Sequence, residues 1–198
     1  MLERCGIGMC HFDEEDIYGD FFPVDDNEVF SDYDGRRMSC SFTGHRQIAK
    51  EEEYGIMLKL RATIQYLVSQ GVKDFHAGGA VGFDTLAAIA VLQVKNEHDD
   101  VRLILDLPYE KQLSEKWSDK QKRQYKMVLE NADVVNIHSK RYSDYEAARQ
   151  ALLKRDRILV ENSYYCVCYL RPGTDRGGTL YTVNYAKRGN THIINLAE

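Results

Sequence analysis

Three short stretches of this chain combine glycine with polar or charged side chains in the way that anion recognition requires. The first, His76-Ala77-Gly78-Gly79-Ala80-Val81-Gly82-Phe83-Asp84, places three glycines between two apolar runs. Glycine lets the backbone approach an anion closely and adopt φ > 0. A helix opening directly after such a turn aims free N–H groups and the positive end of its dipole at the same spot. Phosphate is the natural ligand, with Gly78, Gly79, Ala80 and Gly82 as the backbone contacts. The string is neither the G-x-G-x-x-G fingerprint nor the P-loop, so a ligand-free strand-to-helix connection stands as the alternative. Asp84 either caps the helix or reaches a ribose hydroxyl.

The second stretch is Ser41-Phe42-Thr43-Gly44-His45-Arg46. Thr43 and the backbone around Gly44 can donate to a phosphate, and Arg46 supplies charge and a bidentate fork. His45, which in isolation reads as structural, gains a functional reading from this company. The third, Gly173-Thr174-Asp175-Arg176-Gly177-Gly178-Thr179, precedes a helix carrying Tyr181 and Asn184 and offers a second anion cradle by the same dipole argument. Gly177, Gly178 and Thr179 are its candidate contacts, and a plain surface loop is the alternative. Tyr109, just past Pro108, is placed either to stack on a ligand ring or to pack in the core, and Trp117 either stacks on a base or anchors a loop. The basic residues between Lys111 and Lys126 read as a solvated helix face.

These stretches need a scaffold, and the apolar pattern from Met38 onward supplies one. Strands are predicted at Met38–Phe42, Lys73–His76, Val101–Leu107, Asp133–Ile137, Tyr164–Leu170 and Thr191–Leu196. Ile56, Leu60, Ile64 and Leu67 recur at helical spacing, with Gly71 as the stop. Further helices follow at Leu86–Val94, Lys120–Glu130, Tyr145–Glu161 and Thr179–Lys187. Six strands alternating with five helices imply an α/β fold with a mostly parallel sheet covered on both faces. In such sheets ligands bind outside the carboxyl ends of the strands, near the topological switch point. All three stretches fall there.

Bulk properties narrow the class. The chain has 198 residues, 43% of them hydrophobic, enough for a sizeable core. Residues 1–37 hold eleven acids against three bases, a balance of −8, which leaves +3 for 38–198. The chain therefore divides into an acidic N-terminal extension, 1–37, and one domain, 38–198. The extension reads as solvated, although its aromatics allow it to dock. A domain balance of +3 suits a small anionic ligand and makes nucleic acid an unlikely partner. There is no membrane-spanning run and no secretory signal in 1–20, so a soluble cytoplasmic protein is expected. Five cysteines in no zinc spacing read as reduced thiols, with no metal and no cofactor; Cys5, Cys10 and His11 lack a second ligand pair.

Taken in order, Phe42-Thr43-Gly44-His45-Arg46, Gly78-Gly79-Ala80 with Gly82 and Asp84, Leu107-Pro108 followed by Gln112 and Trp117, and Gly177-Gly178-Thr179 carry a resemblance. They are similar to the YpsA-like branch of the SLOG superfamily, named after the Smf/DprA DNA-processing proteins and the LONELY GUY enzymes. The resemblance covers about Met38 to Leu196. It implies a Rossmann-like three-layer sandwich, a nucleotide-type ligand and a homodimer paired through helices. The LONELY GUY enzymes hydrolyse the N-glycosidic bond of nucleoside monophosphates. Their helix Arg matches Arg155 and their glycine loop matches Gly177-Gly178-Thr179, but Thr182 stands where they carry the catalytic Glu. A hydroxyl cannot replace a carboxylate base.

The leading expectation is therefore a sensor or regulatory module that binds a nucleotide-derived phosphate ligand. The alternatives are a nucleoside-monophosphate N-glycosidic hydrolase, with Arg155 on the phosphate and Asp84 polarising ribose or water, and single-stranded DNA binding as in DprA.

Overall fold

Each glycine-rich stretch follows a strand. In the computed structural model, which describes residues 34–110, 116–139 and 145–198, a helical turn α1 (Asp34–Arg37) leads into β1 (Ser39–Gly44), α2 (Lys50–Ser69), β2 (Asp74–Ala77) and α3 (Phe83–Lys95). Then come β3 (Arg102–Leu107), α4 (Asp119–Asn131), β4 (Val134–Ile137), α5 (Tyr145–Glu161), β5 (Tyr165–Tyr169), α6 (Gly178–Arg188) and β6 (His192–Asn195). The strands form one sheet in the order β4-β3-β2-β1-β5-β6, every neighbouring pair parallel. This is the α/β Rossmann-like fold that the alternating pattern implies.

The chain steps outward from β1 to β4, then crosses back to β5 and β6. Right-handed crossovers therefore put α2, α3 and α4 on one face and α5 and α6 on the other. The packing agrees, with α3 between α2 and α4 while α5 packs on α6.

The two faces differ in chemistry. Strand residues alternate sides, and one side is apolar: Cys40, Phe42, Phe75, Leu103, Leu105 and Val167 join Ile56, Leu60, Ile64 and Leu67 of α2 and Val91 of α3 in one core. The other side carries Ser41 and Thr43 of β1, His76 of β2 and Asp106 of β3, all buried. Above it α5 buries Arg149, Arg155 and Asp156 on the same helix as Leu152 and Leu159. The run around Leu103–Leu107, read as simply apolar, thus turns a carboxylate inward.

Helix N-termini are satisfied in different ways. Ser118 caps α4, accepting from the Gln121 backbone N–H at 3.3 Å while the Gln121 side chain takes the Ser118 N–H at 2.8 Å. At the start of α2 the Glu52 carboxylate takes the Ala49 N–H. Gly82 before α3 and Gly177 before α6 provide no side-chain cap.

Arg36 of α1 is 2% exposed and donates to the Gly189 carbonyl and to Thr191 Oγ1, so 34–37 pack against the end of the domain. The rest of the acidic extension, with Cys5, Cys10 and His11, lies outside the described residues. Cys40, Cys166 and Cys168 are free thiols whose burial pushes their pKa values up. Among the described residues no group of three or more His, Cys, Asp or Glu is suited to a metal, and no helix is long and apolar enough to cross a membrane.

Leu103 is fully buried in the apolar core. Leu103→Ala is expected to lower stability by about 2–5 kcal/mol through lost transfer energy and a residual cavity. Val135→Thr on the exposed edge strand β4 is expected to change it by less than about 0.5 kcal/mol. Denaturant titrations of both variants check the contrast.

Candidate functional site

The strand order reverses between β1 and β5, so the crevice for a ligand opens where these strands end. β1 ends in Gly44, and the reason is steric. A Cβ there would lie 2.5 Å from Cγ of Phe83, the first residue of α3. Gly82 precedes it at φ +81°, against the backbone carbonyl of Arg46. That φ and that closeness both require glycine.

His45 joins the loops. Its backbone carbonyl accepts the Phe83 N–H at 3.1 Å, and its ring Nε2 accepts the Arg171 backbone N–H at 3.2 Å. Thr174 Oγ1 lies 3.4 Å from the same nitrogen and donates to the Arg171 carbonyl at 2.7 Å. Burial and the charge of Arg171 lower the pKa of His45, which keeps Nε2 an acceptor. The sequence suggests a ligand contact at His45; the structure gives its Nε2 to the neighbouring loop.

Thr43, Gly44, His45 and Arg46 therefore meet the Gly78–Gly82 loop on one side and the loop leading to Gly177 on the other. Gly78, Gly79 and Ala80 are buried. Arg155 of α5 closes over them: its Nη1 donates to the Gly78 carbonyl and its Nε to Asp156 Oδ1 at 2.8 Å. A Cβ on Gly78 would overlap that guanidinium and come within 2.8 Å of Asp84 Oδ2. Asp84 is not the cap of α3 but its second residue. Burial pushes its carboxyl up; Arg155 pulls it down, Asp156 pushes it up again, Arg46 and the Ala80 backbone pull it down, and the balance is about 6. Gly177, Gly178 and Thr179 open α6, where Thr182 donates its hydroxyl to the Gly178 carbonyl at 2.9 Å.

Tyr109 is half-exposed just past β3, the strand beside β2, and its charge acts on Tyr125 of α4. Trp117 meets Tyr125 edge-on at 5.3 Å between ring centroids, so it anchors the segment that leads into α4. Gln112 lies outside the described residues.

The sequence reading missed a cluster on the polar face. Asp106 Oδ2 lies 2.8 Å from His76 Nδ1, and Oδ1 lies 2.9 Å from His138 Nε2 and accepts from Asn136 Nδ2 at 3.0 Å. Burial works to raise the Asp106 carboxyl, but the hydrogen bonds and charge of its partners outweigh it and hold the group at about 2. A charged residue inside a buried parallel strand was the available signal.

Fold and loops together define a SLOG-type Rossmann-like domain. A family model described as the YspA SLOG family matches residues 43–195, and the chain belongs to that family. A UPF0398 protein of Halalkalibacterium halodurans is 30% identical over 103 residues, 52% of this chain and 53% of that protein. The SPbeta prophage-derived protein YoqJ of Bacillus subtilis is 29% identical over 140 residues, 66% of this chain and 79% of that protein. The chain thus spans about half the length of the first of these relatives. The fold is similar to DNA processing protein A of Streptococcus pneumoniae, with a TM-score of 0.53 and 13% identity over 79% of this chain and 49% of the other. DNA processing protein A of Helicobacter pylori gives 0.54 and 12% over 80% and 64%.

The raised Asp84 pKa makes stability pH-dependent. The native state keeps the proton that the unfolded chain loses above 3.8, so stability falls as pH rises from about 4 to about 6 and is level beyond. Asp84→Asn escapes this loss. It is expected to be more stable than the parent by about 1–3 kcal/mol at pH 8, with no advantage below about pH 4. Thermal melts at the two pH values measure the difference; an equal gain at both would break the assignment.

Proposed function

We propose that this chain binds a nucleotide-derived phosphate ligand at the carboxyl ends of β1, β2 and β5, as a sensor or regulatory module. One observation carries the reading. Two helices, α3 and α6, begin at positive-φ glycines without side-chain caps, and the loops before them are tied together through His45. At α4, by contrast, the Ser118 hydroxyl takes a first-turn N–H, while Ala49 before α2 provides no side-chain cap and Glu52 binds only the Ala49 N–H. The Phe83 N–H is taken by the His45 carbonyl; the first-turn N–H groups beyond it in α3, and those opening α6, stand at the positive ends of helix dipoles, where a phosphate is favoured. Arg46 and Arg155 supply cationic side chains beside them.

The hydrolase reading receives no comparable support. Thr182 is 2% exposed and its hydroxyl is engaged within α6, so no carboxylate stands at that position. The structural relative from Helicobacter pylori is described by its single-stranded DNA binding mode, and oligonucleotide serves as the competing ligand in the test.

AMP at about 100 times its dissociation constant is expected to stabilise the protein by about 2.7 kcal/mol, a rise in melting temperature of about 5–10 °C. No free adenine should appear; its release would instead establish the hydrolase. A single-stranded oligonucleotide should give no shift at moderate salt. Gly79, at φ +69°, tolerates Asp better than most side chains. Gly79→Asp places a carboxylate in the cradle and is expected to abolish the AMP-induced shift, while the buried charge and left-handed backbone lower the unliganded melt without abolishing a cooperative transition. An AMP shift of parental size in that variant would show that the ligand sits elsewhere.

A further inference from the structure

Phosphate cradling leaves the Asp106 cluster without a role. Asp106 is 1% exposed and accepts from three side chains. Because it stays ionised, each imidazole turns an N–H toward it. Neutral His76 then carries its proton on Nδ1, and its Nε2 is left as an acceptor. That nitrogen has no hydrogen-bond partner among the described residues, and it is not among the fully buried unpartnered atoms.

The location ties the cluster to the cradle. β2 lies between β1 and β3, and α5 packs against both, so His76 sits beneath α5. It is two residues before Gly78, whose carbonyl Arg155 of α5 holds. The charged groups around it are Asp106 from β3, His138 past β4, Arg149, Arg155 and Asp156 from α5, and Asp84 from α3; β1 places only the uncharged Ser41 opposite. Arg155 and Asp156 pair with each other at 2.8 Å, and Arg149 lies 3.5 Å from Glu146. With both imidazoles neutral, the Asp106 cluster carries one negative charge. A phosphate dianion entering beside it meets repulsion in a region of low dielectric.

One proton on His76 resolves the conflict. It brings the cluster to zero charge and turns Nε2 from an acceptor into a donor. We propose that His76, oriented by Asp106, is a proton-dependent half of the ligand site: it takes up a proton when a phosphate monoester binds and donates Nε2–H to it. This rests on the phosphate-binding reading given above. The atoms balance simply, since the proton comes from solvent and no covalent bond to the ligand changes. The sign follows from linkage. A bound anion favours the imidazolium, so binding tightens as pH falls. Above about pH 7 the phosphate of AMP is already mostly dianionic and does not itself produce the effect.

The test is calorimetry of AMP binding to the whole protein at about pH 7.5 in buffers of different ionisation enthalpy, with affinities followed to about pH 9. The parent is expected to take up a fraction of a proton and to lose affinity by roughly fivefold or more over that range. His76→Gln should take up none and change by less than about twofold. Asp106→Asn, which keeps both imidazoles but removes the charge that stabilises the cation, should lose the uptake as well. If His76→Gln fails to fold, the NMR titration of the His76 ring in the parent, with and without AMP, reads the same quantity, and an unmoved midpoint overturns the proposal. Binding of AMP without proton uptake, or uptake that survives His76→Gln and disappears in Asp84→Asn, also overturns it while leaving the phosphate site standing. A parent that does not bind AMP at all removes both.

Discussion

The last residues of β1 fix everything above the sheet. Gly44 has no Cβ, so the Phe83 ring can lie against the strand, and from there the Phe83 N–H reaches the His45 carbonyl. That bond sets where α3 begins. The His45 ring reaches the other way and accepts the Arg171 N–H, which sets how the chain leaves β5. An imidazolium has no lone pair for this contact, and burial and Arg171 both disfavour the cation. One residue, through its carbonyl and its ring, thereby fixes the relation between two glycine-opened helices on opposite faces of the sheet.

The second constraint is the polar face. Burying Asp106 beneath a helix costs desolvation that three donors compensate, and the Arg155–Asp156 pair under α5 carries the same kind of cost. Buried ionic groups of this sort are often no better for stability than apolar side chains of the same volume. The apolar face already provides a continuous core from α2 through α4, so the domain does not need charge on the other side to hold together. Charge there constrains where α5 sits, because a shift of that helix would separate Arg155 from the Gly78 carbonyl. The loop chemistry and the sheet chemistry are coupled through that contact.

Much of this could be read from the chain alone. Helical spacing of Ile56, Leu60, Ile64 and Leu67 located α2, and the glycine-rich stretches marked the ends of β2 and β5, because these signals are local. The Asp106 cluster was not readable in the same way. Its histidines lie 30 and 32 residues away and meet it only because β2, β3 and β4 are neighbours in the sheet. Arg155 and Gly78, 77 residues apart, likewise come together through the crossover that places α5 over β2. Arg149 and Asp156, seven residues apart on a helix whose Leu152 and Leu159 face inward, did leave a trace: charges on the apolar side of an amphipathic pattern.

The placement of Arg155 bears on how such a site can be both closed and receptive. Its guanidinium holds a backbone carbonyl, a neutral acceptor, while Asp156 compensates part of its charge. A phosphate offers a full negative charge to the same fork, and hydrogen bonds between charged partners are roughly twice as strong as those to neutral ones. Exchange of the Gly78 carbonyl for a phosphate oxygen is then favourable at the arginine, provided the carbonyl finds another donor and the surrounding carboxyl groups do not oppose the anion. Asp84, whose carboxyl burial raises to about 6, and Asp106, whose charge an adjacent imidazolium would offset, are the two groups on which that condition depends. On the proposed phosphate reading, these buried charges set the terms on which the glycine loops would accept an anion.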